Sequence, residues 1–137
     1  MDRFLGRAHR WVGIATIAVF LVTGVVLRRH HLNLLALDSG LRLLFRSRHV
    51  YLLFSGLLNL AIGLRFALPL AGRGALVALV GSILILASPF FLAAAFVLEP
   101  ITSGTVGPVS TLGVIAAFSG VLGYSLGIWS LRSRTGV

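Results

Sequence analysis

The chain has no cysteine, no lysine and only three acidic residues, Asp2, Asp38 and Glu99. The missing cysteine excludes disulfides, iron–sulfur clusters, thiolate zinc sites and thiol nucleophiles together. Three scattered acids leave paired-carboxylate catalysis and oxygen-lined cages for divalent cations short of ligands. The phosphate-cradling G-x-x-x-x-G-K-[ST], the nucleophile turn G-x-S-x-G and the zinc-protease H-E-x-x-H are all absent. A Ser/His/Asp set could be drawn only from Ser39 or Ser47, His49 and Asp38, with no oxyanion element or strained turn beside them. Charge of any kind is scarce, at 11% of residues against ~25% in an average soluble chain.

What is present is apolar. Hydrophobic residues fill 58% of the 137 positions, and the mean hydropathy is +1.03. A soluble domain of this composition lacks the polar surface to stay in water. The reading is therefore one all-α integral membrane domain, 1–137, built as a four-transmembrane-helix bundle. The net charge of +9 rests on twelve arginines. They sit at the ends of apolar runs, where guanidinium groups reach lipid phosphates, so lipid is the expected partner and nucleic acid is not.

Four apolar runs organise the chain, predicting helices over about 9–29, 41–64, 74–98 and 109–131. The first, 11–27, has a basic start like a signal peptide. Arg28-Arg29-His30-His31 stands where a small-residue cleavage site would be, so it reads as a retained helix. The second is informative because it is short. Residues 50–64 reach only about 22 Å as a helix, less than the ~30 Å hydrocarbon core. Either the helix starts near Leu41 behind an Asp38-Ser39 cap, carrying Arg46, Arg48 and His49 to headgroup depth, or it continues past Arg65 toward Pro69. The first option is preferred, and it leaves Asn59 in mid-membrane in need of a partner. Arg46 and Arg48, with Arg28 and Arg29 nearby, then need lipid phosphate or a carboxylate, and Glu99 is the best protein candidate. The third run contains Pro89, which predicts a kink near Ile85. In the fourth, Ser119, Gly123 and Gly127 recur every four residues, predicting a face for close helix packing within the bundle or against another subunit.

Four spans put both termini on one side. That side carries seven arginines and the other five, which predicts a bacterial inner-membrane protein with cytoplasmic termini. On this topology His30, His31, His49, Asp38 and Glu99 gather at the end opposite the termini, while His9 stands at the terminal end. The histidines are open to three readings: interfacial residues without a ligand, a proton relay, or a metal or haem b site using His49 with His30 or His31. The segment AHRWVGIATIAVFLVTG resembles the opening membrane helix of PepSY-associated proteins and of some four-helix b-type cytochromes. That likeness implies haem, held here by His9 with a second copy of itself or by His31 with His49. Those cytochromes also carry histidines on later helices, and residues 74–131 contain none. The expectation is a protein acting by association, as an accessory subunit or a homo-oligomer. A haem- or metal-binding electron carrier and a small transporter or channel are the alternatives.

Overall fold

A computed structural model describes residues 2–29, 39–66, 73–99 and 107–135. Among these residues every element is a helix: α1 (Asp2–Arg29), α2 (Ser39–Leu64), α3 (Arg73–Leu98) and α4 (Pro108–Thr135). Three of them, α1, α3 and α4, are long and apolar enough to cross a membrane. In α2 the arginines at 42, 46 and 48 dilute the apolar run. It is nonetheless 26 residues long, about 39 Å as a helix. It starts at Ser39 and runs unbroken through Arg46 and His49. It ends before Arg65, whose N–H closes a last turn on the Ile62 carbonyl at 3.1 Å. The expected Asp38 cap lies outside the described residues.

The helices pair as two antiparallel hairpins, α1 with α2 and α3 with α4. Glycine explains why these pairs are so close. On α1 a Cβ at Gly13 would lie 2.9 Å from the Gly56 carbonyl and 2.6 Å from the Leu60 nitrogen of α2. At Gly63 it would lie 2.7 Å from the Arg10 nitrogen. On α4, a Cβ at Gly120 would sit 2.9 Å from the Gly81 carbonyl, and one at Gly127 2.6 Å from that of Gly74. The small residues recur at intervals of seven: Gly6 and Gly13, Gly56 and Gly63, Gly74 and Gly81, and Gly113, Gly120 and Gly127. Seven residues are two turns at 3.5 per turn, the period that keeps one seam facing its partner in left-handed packing. The two hairpins meet along α2 and α3, with α1 also touching α3.

Small polar side chains are buried inside the bundle and large apolar ones face outward. His9, Thr16, Ser55, Asn59, Ser82, Ser88 and Ser110 are buried, whereas Trp11 and Trp129 are 70% and 68% exposed. Leu21, Val22, Leu57, Ile83, Phe90, Ile115 and Leu122 also point outward. Water would penalise that surface, and hydrocarbon does not. The fold is an integral membrane four-helix bundle.

Candidate functional site

Two polar clusters lie inside the bundle. The deeper one joins three helices. His9 of α1 and Asn59 of α2 are both fully buried. Asn59 donates both amide hydrogens, to the Ser55 carbonyl on its own helix and to the Ile85 carbonyl on α3, each at 2.9 Å. Its side-chain oxygen is thereby turned toward His9 Nδ1, at 2.8 Å. An oxygen can only accept, so Nδ1 carries the proton. In a neutral ring Nε2 then accepts from the Ser82 hydroxyl, also at 2.8 Å. Every hydrogen-bonding group of both the ring and the amide is engaged.

Pro89 explains why Asn59 reaches across to Ile85. Proline lacks the N–H that would bond the carbonyl four residues back, which is that of Ile85. In hydrocarbon an unpaired carbonyl costs several kcal/mol. Here the Ile85 oxygen accepts from Asn59 Nδ2 and, at 3.0 Å, from Ser88 Oγ. The helix continues from Arg73 to Leu98 through the proline. The partner that Asn59 needs is thus His9 together with the vacated carbonyl.

The second cluster lies at the end opposite the termini. Arg48 of α2 is nine-tenths buried and reaches Glu99, just past the end of α3. One terminal nitrogen meets Glu99 Oε2 at 3.0 Å, and the other donates to the Glu99 backbone carbonyl at 3.1 Å. The same carboxylate caps α4. Its Oε1 accepts from the Val109 and Ser110 backbone N–H groups at 2.6 and 3.1 Å, and its Oε2 accepts the Ser110 hydroxyl. A negative group is favoured at this helix N-terminus, where the orphan N–H groups point. A Cβ at Gly107 would collide with the carboxylate and drive it out of this cap. Burial pushes the Glu99 carboxyl up, but its bonds from Ser110 and Val109 and the Arg48 guanidinium outweigh this and hold it below its ordinary value.

His49 borders this cluster. Its ring stacks on Phe20, with centroids 4.0 Å apart, and its Nδ1 lies 3.3 Å from Thr23 Oγ1. Thr23 donates its own hydroxyl to the Val19 or Phe20 carbonyl, so His49 donates to Thr23 and keeps its lone pair on Nε2. That nitrogen lies over Gly24.

His9 and His49 do not share a site. His49 packs beside Thr23, fourteen residues along α1 from His9, about 21 Å at ~1.5 Å per residue. Both His9 nitrogens are already bonded. His30 and His31 lie outside the described residues. Among the described residues there is no group of three or more His, Cys, Asp or Glu that could hold a metal ion. Arg28, Arg29 and Arg46 are exposed near this end, in the position of headgroup anchors.

The expected small face of α4 divides. Gly127 is buried against Gly74 and Ala78, and Gly123 faces Gly81 at 3.5 Å, an ordinary contact. Ser119 is exposed and returns its hydroxyl to the Ile115 carbonyl of its own helix. A spacing of four drifts around a helix of 3.6 residues per turn, whereas the spacing of seven stays on the seam. The seven-residue glycines, Ser82 and the capping role of Glu99 escape a reading based on runs and charges. Of these, the glycine period was the readable signal. Comparison with protein-family models, with characterised proteins and with solved structures gives no match.

Proposed function

We propose that this protein acts by association, as an accessory or structural subunit of a larger membrane complex or as a homo-oligomer, in the bacterial inner membrane with both termini cytoplasmic. The disposition of the polar groups carries this reading. His9, Asn59, Ser82, Arg48 and Glu99 hold one helix to another, so the interior serves to fix the bundle's shape. What the bundle offers outward is a rigid apolar wall. On that wall a cavity of about 360 Å³ opens between α1 and α3, lined by Trp11, Ala15, Thr16, Val19, Pro89 and Phe90 among others. Small residues at Ala15 and Ala18, both exposed, admit the close approach of another helix.

The absence of native cysteine makes the test clean. Single cysteines are introduced as Ala15→Cys beside the groove and Ala61→Cys on an exposed face of α2. Each variant is labelled in native membranes with a photoreactive maleimide. The expected result is an adduct of discrete mass from Ala15→Cys and none from Ala61→Cys. Monomer alone from both, together with a monomeric mass in mild detergent, overturns the proposal. A haem absorption band in the purified protein would support the electron-carrier alternative instead.

A further inference from the structure

We propose that the cleft between the first turns of α1 and the end of α2 is a binding site for a phosphate-bearing anion, carried by a lipid headgroup or by a free polyphosphate. The cleft encloses about 500 Å³ and is lined by Arg3, Arg7, Arg10, Gly6, Gly63 and Phe66. Positions 3, 7 and 10 fall on one face of a helix, so three guanidinium groups share the opening. Two of the three stems are fixed by the helix itself. Arg7 Nε donates to the Arg3 carbonyl at 3.2 Å and Arg10 Nε to the Gly6 carbonyl at 3.4 Å. Among the described residues no partner engages the terminal nitrogens of those two side chains, which can face a ligand.

No carboxylate among the described side chains answers this charge, because the ion pair found there joins Arg48 to Glu99 at the opposite end. Asp2 is the one acid in this stretch of sequence. Three adjacent cations with so little counter-charge favour a multiply charged anion, and planar guanidinium forks match phosphate oxygens in pairs. Depth agrees with this chemistry. Phe4 and Trp11 flank the arginines and are 68% and 70% exposed, as aromatic residues are at the headgroup layer. Glycine at 13 and 63 lets the two helices touch beside the cleft.

The experiment compares the wild-type protein with R7Q/R10Q and with R65Q, an exposed arginine at the same end that does not line the cleft. In one arm the proteins are placed in nanodiscs of phosphatidylcholine with and without the diphosphate lipid cardiolipin, and retained lipid is read by native mass spectrometry. In the other arm inorganic pyrophosphate is titrated onto protein in neutral detergent, and the shift in melting temperature is followed. Preferential cardiolipin retention identifies the lipid source, and saturable stabilisation by pyrophosphate the soluble one. In either case R7Q/R10Q should bind about 30-fold more weakly, and R65Q should match wild type. If the double variant elutes as misfolded, R7Q alone should weaken binding about fivefold. Equal binding by wild type and R7Q/R10Q in both arms, or an equal loss in R65Q, overturns the proposal.

Discussion

At the scale of single residues, the bundle depends on a few polar side chains that each serve two helices. Asn59 stands at the crossing. Asn59→Ala leaves the His9 Nδ1–H without its partner and the Ile85 carbonyl with the Ser88 hydroxyl alone. It should destabilise the protein by about 1–3 kcal/mol, toward the lower end if the membrane-unfolded chain finds substitutes. Ser82→Ala removes one bond and should cost less. Unfolding titrations in mixed micelles would measure both, and equal, negligible losses would disprove the assigned network. Glu99 gives a pH-dependent counterpart. Its carboxyl is held below its ordinary value in the fold. The stability it contributes is therefore present above the unfolded carboxylate range, near ~4.3, and is lost as pH falls through the folded value. Glu99→Gln should flatten that acid limb of the stability profile. The Arg48–Glu99 pair was legible from charge alone, because so few acids exist and a buried guanidinium must find one. The joining of Asn59 to His9 was not legible, since it needs the register of two helices. The proline that frees the Ile85 carbonyl was visible in sequence, but the group that answers it was not.

At the scale of elements, the seams are set by where side chains are missing. A Cβ at Gly81 would meet the Tyr124 nitrogen and come within 2.6 Å of the Gly120 carbonyl. These are backbone atoms of a facing helix and cannot swing aside. Gly81→Leu or Gly120→Leu should therefore open the α3–α4 hairpin, with a loss at or above the ~1–3 kcal/mol typical of overpacking. Ser119→Leu adds bulk on an exposed surface and should stay within about 0.5 kcal/mol of wild type. Melting curves in detergent would rank the three, and a Ser119→Leu loss equal to that of Gly81→Leu would place the seam on the wrong face. Helix existence was legible because the apolar runs are long and bounded by arginine, glycine and proline. The start of α2 was legible through length, since residues 50–64 alone fall short of the hydrocarbon. Helix pairing was less so, because hydropathy is nearly uniform around α3 and α4 and gives no inward face. In lipid the inward face is marked by small and polar residues, a weaker pattern than the apolar stripe of a soluble helix.

At the scale of the whole molecule, four antiparallel helices bring the start of α1 and the end of α4 to the same end of the bundle. The proposed cytoplasmic orientation of that end rests on the arginine balance, and on that proposal a reporter joined after Val137 should be active only in its cytoplasmic form. Activity of a periplasm-dependent reporter there would invert the orientation. The division into two glycine-lined hairpins also bears on biogenesis. Each hairpin holds its own interhelical contact between segments adjacent in the chain, so it can form as soon as its two helices enter the bilayer. The Asn59–Ile85 and His9–Ser82 bonds join one hairpin to the other and can form only after both are inserted. The expected order of assembly is a late docking of two preformed halves, which predicts that a break between Phe66 and Arg73 is tolerated. Co-expressed fragments 1–66 and 73–137 should insert separately, co-purify as a stoichiometric pair, and lose that pairing when Asn59 and Ser82 are both replaced by alanine.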